Sequence, residues 1–137
     1  MKDVILKVVG NLIISQIALF GFYIFFHGEF SPGGAFQAGC IFAVCFILYS
    51  FLNGLNALLK IFPLRLIELV SALGVLIYSG IGIICILLGG HLLDYNKLYP
   101  SNTHIAQSIG ILGIEIGVTL TVCSVIVYIF VLLVKNK

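Results

Sequence analysis

Formal charges divide this chain into four long uncharged stretches, and this spacing constrains the fold more than any other feature. The stretches cover residues 8–26, 30–59, 69–90 and 105–134, and only Glu115 interrupts them. A helix needs about 20 apolar residues to cross the hydrocarbon layer of a membrane. Each stretch therefore has room for one crossing helix. The pattern predicts an all-α integral membrane protein with four transmembrane helices at about residues 6–26, 33–53, 64–89 and 105–134.

The composition excludes the other common classes of protein. Hydrophobic residues make up 61% of the 137 residues, charged residues make up 9%, and the mean hydropathy is +1.24. A soluble domain carries about a quarter charged residues, and a disordered chain is poor in apolar ones. A net charge of +2 without a basic face excludes a nucleic-acid binder. We therefore expect residues 1–137 to form a single domain in the lipid bilayer.

Lysine and arginine residues indicate the orientation, because they are enriched on the cytoplasmic side of membrane proteins. Six of the seven lie in the N-terminal segment, in the loop between the second and third predicted helices, or at the C-terminus. Both termini are therefore predicted to face the cytoplasm (N-in, C-in), in a multi-pass protein of the cytoplasmic membrane. The second loop, about residues 53–63, is half apolar and is predicted to lie at the membrane interface. The external third loop ends in a Ser-Asn-Thr run, 101–103, which can cap the last helix.

Glu115 is the only acidic or basic residue within the four apolar stretches. An ionised side chain near the bilayer centre costs about 3 kcal/mol on insertion scales. If the crossing starts near Ile109, Glu115 lies about 9 Å inside it. The carboxyl group must then face protein or a water-filled cavity, or remain protonated. Three interpretations stay open: a hydrogen bond to a neighbouring helix, a role in ion or proton movement, or no role.

Two stripes on nearly opposite sides run along the last predicted helix. At 100° per residue, one polar stripe contains His104, Ser108, Glu115 and Thr119. The other contains the small residues Gly110, Gly113, Gly117, Thr121 and Ser124, including a Gly-x-x-x-Gly pattern typical of close helix packing. Ser108, Glu115 and Thr119 are the candidate ion or proton path, and Gly110, Gly113 and Gly117 are candidate packing residues. Four short helices can cover one face of the last helix, but they cover two faces less easily. We therefore expect this chain to dock against other membrane subunits.

A second cluster lies between the first two predicted helices and reads His-Gly-Glu-Phe-Ser-Pro-Gly-Gly-Ala-Phe-Gln-Ala-Gly over residues 27–39. Ser31 is predicted to be the N-cap of the second helix, and Pro32 its first residue. Gly33 and Gly34 then fall in the first turn, where backbone N–H groups have no helical partner. Such groups can meet a neighbouring backbone, water or an anion. A simple helix start and a binding site both stay open.

Other patterns indicate no catalytic chemistry in the chain by itself. The four cysteines, at positions 40, 45, 85 and 123, lie in apolar stretches without a Cys-x-x-Cys pair. They are expected to be buried apolar side chains. The three histidines are scattered near the span ends. We expect no catalytic residue, no cofactor and no metal site, and therefore no enzyme activity.

The 27–39 run resembles the signature of the MnhB/MrpB family, whose members are small subunits of the multisubunit Mrp-type Na⁺ (or K⁺)/H⁺ antiporters. That family typically shows Gly-His-x-Ser/Thr-Pro-Gly-Gly-Gly-Phe-Gln-Gly-Gly between its first two helices. The run 114–118 is similar to its last helix, where an acidic residue precedes Ile-Gly-Val. Chain length, span number and motif positions extend the resemblance over nearly the whole chain. Glu29 stands where the family often has histidine, and Ala35 and Ala38 replace glycines.

The resemblance implies a small membrane subunit of a cation/proton antiporter complex, with Na⁺ or K⁺ and H⁺ as the transported ions. Its partners would be other membrane subunits, with no nucleic acid. The turn residues of the family motif, which we assign to assembly, are His27, Ser31, Pro32, Gly33, Gly34, Phe36 and Gln37. Two alternatives remain: an MnhB-like subunit of a membrane-bound hydrogenase-type redox pump, and a stand-alone small channel or scaffold.

Overall fold

The computed structural model describes residues 2–28, 34–92, 94–97 and 101–137. It contains the helices α1 (Lys2–Phe26), α2 (Gly34–Asn53), α3 (Leu55–Ile61), α4 (Leu64–Leu87) and α5 (Thr103–Lys135), with a 3₁₀ turn at Tyr95–Lys97. Four of the helices, α1, α2, α4 and α5, are long and apolar enough to cross a membrane. The prediction of an all-α membrane protein with four transmembrane helices is therefore confirmed. The N-in, C-in orientation stays a prediction.

The start of α5 follows the predicted capping run. Asn102 is the N-cap, and its side-chain oxygen accepts hydrogen bonds from the backbone N–H groups of His104 at 3.1 Å and Ile105 at 3.4 Å. These bonds satisfy two donors that have no partner within the helix. The corresponding predictions at the start of α2, for Ser31, Pro32 and Gly33, lie outside the described residues.

The end of α4 differs from the prediction by two residues. The helix ends at Leu87 because Gly89 adopts a φ of +86°, a left-handed conformation that favours glycine. The N–H of Gly90 then donates to the carbonyl of Cys85 at 3.1 Å, and that of Gly89 to Ile86 at 2.9 Å. This pair of bonds is the Schellman closure of a helix C-terminus. The predicted helix, residues 64–89, included Gly89, which instead terminates the helix.

Helix α3 lies in the second loop, for which no helix was predicted. Gly54, with a φ of +91°, makes the turn from α2 into α3. Leu58 of α3 is only 1% exposed and packs in a core cluster with Ala43, Ile67, Val127 and Val131. The second loop is therefore part of the packed core of the bundle, and not only a connection at the membrane interface.

The packing order of the helices differs from their order in the chain. Helix α1 packs on α2, α2 packs on α5, and α5 packs on α4. A Cβ atom on Gly39 of α2 would lie 2.9 Å from the Cβ of Val122 in α5. On the other side of α5, a Cβ atom on Gly117 would lie 2.9 Å from the carbonyl oxygen of Gly74 in α4. The expectation that the chain covers only one face of its last helix is therefore wrong, and α5 is the central helix.

Candidate functional site

Gly28, which follows α1, lies close to the carboxylate of Glu115 in α5. A Cβ atom on Gly28 would lie 3.2 Å from Oε1 of Glu115 and 3.3 Å from the Cα of Gly34. The fold thus joins the glycine-rich segment and the acidic residue, which are far apart in sequence. We call the group of Gly28, Gly34, Ala35, Glu115 and Thr119 the turn site. Gly28 lies in the family motif but was not among the predicted site residues, and only its place between two helices could have indicated its role.

Gly34 holds the two sides of the turn together. Its residue is buried, and a Cβ atom there would collide with the Cα of Gly28. That Cβ would also lie 3.2 Å from the backbone nitrogen of Gly28 and 3.3 Å from the carbonyl oxygen of Ile24. Backbone atoms cannot rotate away as a flexible side chain can, so only glycine fits this approach. The sequence left a neighbouring backbone, water or an anion as possible contacts of this segment. The structure places the backbone of the same chain against Gly34.

Thr119 connects α5 to the first turn of α2. The residue is 8% exposed, and its hydroxyl lies 2.8 Å from the carbonyl oxygen of Glu115 and 3.1 Å from that of Ala35. The hydroxyl can donate to both acceptors in a shared hydrogen bond. A threonine bonded to the carbonyl four residues earlier is common in helices, whereas the bond to Ala35 joins two helices. The bond from Thr119 therefore sets the position of α2 along the axis of α5. It also sets the position of Gly34 relative to Glu115.

The polar stripe of α5 changes in exposure along its length. Thr119 is buried, Glu115 is half-buried, and Ser108 and His104 are exposed. Glu115 lies twelve residues from Thr103, so about 18 Å of α5 extends past the level of the turn. The fold thus brings Glu115 and Thr119 together at the turn and leaves Ser108 on the exposed part of the stripe.

The family motif has a buried face and an exposed face. Gly34, Ala38 and Gly39 are buried, whereas Phe36 is 60% exposed and Gln37 is also exposed. His27 is exposed as well, and its ring stacks on that of Tyr23 with 5.1 Å between the ring centroids. Packing within the chain therefore accounts for the small residues of the motif but not for its larger side chains.

The three glycines of the small-residue stripe contact two different elements. A Cβ atom on Gly113 would meet the side chain of Ile81, and one on Gly117 would meet the backbone of Gly74, both in α4. Gly110 instead accommodates the ring of Tyr95, from the 3₁₀ turn. Two of the candidate packing residues thus lie between helices, and the third lies against the loop that precedes α5.

The turn site offers one carboxylate, one hydroxyl and backbone groups. A carboxyl group can take up and release a proton, and its oxygen atoms, together with carbonyl oxygens, can coordinate a hard cation. Among the described residues, no group of three or more His, Cys, Asp or Glu side chains is placed to hold a metal ion. The chemistry available at the turn site is therefore proton exchange or weak cation binding at Glu115.

Four helices that are long and apolar enough to cross a membrane define a small multi-pass membrane protein. The family model described as "Domain related to MnhB subunit of Na+/H+ antiporter" matches residues 5–133. This chain belongs to the MnhB family, as its two motifs indicated.

Similar proteins carry a matching name. The chain is 34% identical over 129 residues to "Putative antiporter subunit mnhB2" of Staphylococcus epidermidis, which covers 92% of this chain and 90% of that protein. The protein of the same name in Staphylococcus haemolyticus is 31% identical over 141 residues, covering 99% and 97%. That in Staphylococcus aureus is 36% identical over 74 residues, covering 53% and 52%. The comparison with solved structures finds no significant match.

Replacing Gly34 by leucine is expected to destabilise the α1–α2 hairpin, because the new side chain must push apart two backbone segments. The purified full chain should unfold at a temperature several degrees lower, and co-purification with partner subunits should fall as a result. Gly80→Leu is the matched control, since a Cβ atom on Gly80 has nothing within 4 Å. Unchanged thermal stability of the Gly34→Leu chain, combined with lost co-purification, would instead place a partner subunit against the turn.

Proposed function

We propose that this chain is a subunit of a multisubunit Na⁺/H⁺ antiporter in the cell membrane. The observation that carries the proposal is the family match over residues 5–133. This range contains α2 and α4 in full and most of α1 and α5. The relatives that match over most of their length are named antiporter subunits, which are transport components rather than enzymes. The family description supports Na⁺ as the transported cation. K⁺ is the alternative that the motif resemblance leaves open.

Within such a complex, Glu115 is proposed to bind a proton or cation transiently along the transport path. Its carboxylate lies beside the backbone of Gly28, where the chain leaves the helical hydrogen-bond pattern, and not against a uniformly apolar helix surface. Backbone groups at such a connection need water or polar atoms in a membrane. The exposed part of the polar stripe, with His104 and Ser108, leads along α5 to this position. These placements support an ion route that reaches Glu115 from the end of the bundle near the start of α5.

The exposed face of the family motif is proposed to contact another membrane subunit. Phe36 and Gln37 lie within the first turn of α2 and face away from the rest of this chain. A glutamine amide that faced only lipid would lose its hydrogen bonds, at a cost that a polar partner removes. An aromatic side chain beside a polar one is also a frequent composition at protein interfaces. Assembly is therefore the role that we assign to this part of the motif.

The test is purification of the tagged chain from its native membrane in mild detergent, together with transport measurements in everted vesicles. The chain should elute with large hydrophobic subunits. Vesicles from cells without the chain should lose Na⁺-dependent proton release, and re-expression of the chain should restore it. Parallel assays with K⁺ decide the cation.

Two further results would reject the proposal. A chain that elutes alone would be a stand-alone channel or scaffold, and one that elutes with hydrogenase or iron–sulfur subunits would belong to a redox-driven pump. The assembly role is tested by Phe36→Ala combined with Gln37→Ala, which should reduce co-elution of the partners. Phe51→Ala is the control, because Phe51 lies on the same helix and is 73% exposed.

A further inference from the structure

A deep apolar groove opens on one face of the bundle, between α1 and α4. Its volume is about 450 Å³, and all four transmembrane helices contribute to its walls. Five aromatic side chains line it: Phe22, Phe25, Phe42, Phe46 and Phe62. A volume of this size is in the range of sites that hold a small molecule. Contacts between neighbouring helices do not account for the groove, and it shares only Thr119 with the turn site.

The hydroxyl groups in the wall of the groove are already hydrogen-bonded within the chain. Two hydroxyl residues, Thr119 and Ser124, lie in its wall. The hydroxyl of Thr119 is bonded to backbone carbonyls, and that of Ser124 donates to the carbonyl of Leu120 at 2.6 Å. An occupant with polar groups would have to bury them without partners, which is costly. The part of the ligand inside the groove must therefore be hydrocarbon.

The length of the groove fits a lipid chain better than a transmembrane helix of another subunit. Its lining residues in α5 run from Ile116 to Val127, which at 1.5 Å per residue is about 17 Å. The hydrocarbon layer of a bilayer is about 30 Å thick, so one leaflet takes about 15 Å. An acyl chain of one leaflet would fill the groove from end to end. A crossing helix of a partner would be about twice as long as the groove.

Two cationic residues are close in sequence to the end of the groove where α3 leads into α4. Phe62 and Leu66 line this end, and Lys60 and Arg65 are their close neighbours in sequence. Both cationic residues are exposed, and within the described part of the chain neither forms an ion pair.

The nearest acidic residue in sequence is turned to the other side of α4. Glu68 accepts a hydrogen bond from the hydroxyl of Tyr128 at 3.1 Å and lines a separate pocket. Two exposed cationic residues thus lie close in sequence to one end of the groove, whose interior is apolar. Basic side chains beside a crevice between transmembrane helices attract anionic lipid headgroups.

We propose that the groove binds one acyl chain of an anionic phospholipid, with the headgroup held by Lys60 and Arg65. The groove shares Thr119 with the turn site, but Lys60 and Arg65 belong to neither its lining nor the turn site, so variants of these two residues test lipid binding without changing Glu115.

The test uses two photoreactive lipids with the same diazirine-bearing acyl chain, phosphatidylglycerol and phosphatidylcholine. Each is incorporated into vesicles that contain the complex with the full chain, and labelled peptides are identified by mass spectrometry after illumination. The peptide with Phe46 and the peptide with Leu120 should each be labelled at least about fivefold more strongly by phosphatidylglycerol than by phosphatidylcholine. Each cation near an anionic headgroup strengthens binding by about that factor. Combining Lys60→Gln with Arg65→Gln should lower the labelling to the phosphatidylcholine level.

The control removes two cations elsewhere. Lys2→Gln combined with Lys7→Gln takes the same charge from α1, on the same predicted side of the membrane, and should leave the groove labelling unchanged. Equal labelling by the two lipids, or full labelling in the Lys60→Gln, Arg65→Gln variant, would overturn the proposal. Labelling at the exposed Phe51 without labelling in the groove would also overturn it, because a partner helix would then fill the groove.

Discussion

Glu115→Gln is expected to lower Na⁺/H⁺ exchange by about tenfold or more at unchanged abundance of the complex, because an amide does not bind and release protons near neutral pH. Glutamine is close to glutamic acid in size and can form similar hydrogen bonds. The contacts of residue 115 with the α1–α2 turn should therefore survive, and only the titrating group is lost. The measurement is cation-dependent proton release in everted vesicles, normalised to the amount of assembled complex.

The matched control is Glu68→Gln, which removes the carboxylate that accepts the hydrogen bond of Tyr128 near the start of α4. That residue is exposed and lies away from the turn site, so exchange should remain close to that of the unmodified chain. Glu115→Asp keeps a titrating group with shorter reach and should retain part of the activity. Full exchange in Glu115→Gln would reduce Glu115 to a packing residue and end its proposed transport role.

Gly74→Ala is expected to weaken the contact between α4 and α5. The added Cβ would collide with the hydroxyl of Thr121 and lie 2.7 Å from the carbonyl oxygen of Gly117. It would also lie 2.9 Å from the backbone nitrogen of Thr121, so the two helices must separate. Overpacking of this kind costs about 1–3 kcal/mol. The free energy of unfolding should fall by that amount.

A thiol-reactive fluorophore can follow this unfolding on heating, since Cys45 and Cys85 are free and buried. Gly80→Ala is the control on the same helix, because its Cβ meets no atom within 4 Å. There the better helix propensity of alanine should leave the midpoint temperature unchanged or slightly higher. Equal midpoints for the two variants would show that α4 and α5 can adjust without loss of stability.

The sequence predicted the spans well because lipid imposes a simple requirement on each one. Uncharged length alone located four helices, and local chemistry located their ends, as Asn102 does for α5. Helix α1 begins at Lys2, before the predicted residue 6, because a helix can continue through charged residues outside the hydrocarbon. For α3 a weaker signal existed, since Leu55, Leu58 and Leu59 follow helical spacing, but seven residues are too few for periodicity to define a helix.

The arrangement of the helices could not be derived from the same information. Small residues on α5 indicated a packing face, but nothing in their spacing tells which helix packs against that face. Gly39 fits against Val122 and Gly74 against Gly117, and these pairings follow from the three-dimensional fit of whole helices. The approach of Gly28 to Glu115 depends in turn on that register. The sequence therefore identified most members of the turn site without showing that they form one site.

The central position of α5 has a consequence for biosynthesis. The ribosome makes α1, α2 and α4 before α5, so the nascent chain passes through a stage in which the α1–α2 hairpin and α4 lie in the membrane with few direct contacts to each other. During that stage the backbone clefts at Gly39 and Gly74 can be filled only by lipid or by a foreign helix. Insertion of α5 between them would then be the committing step of maturation. A chain in which translation stops before α5 should be recognised by membrane quality control, because the packing surfaces of α2 and α4 would remain uncovered.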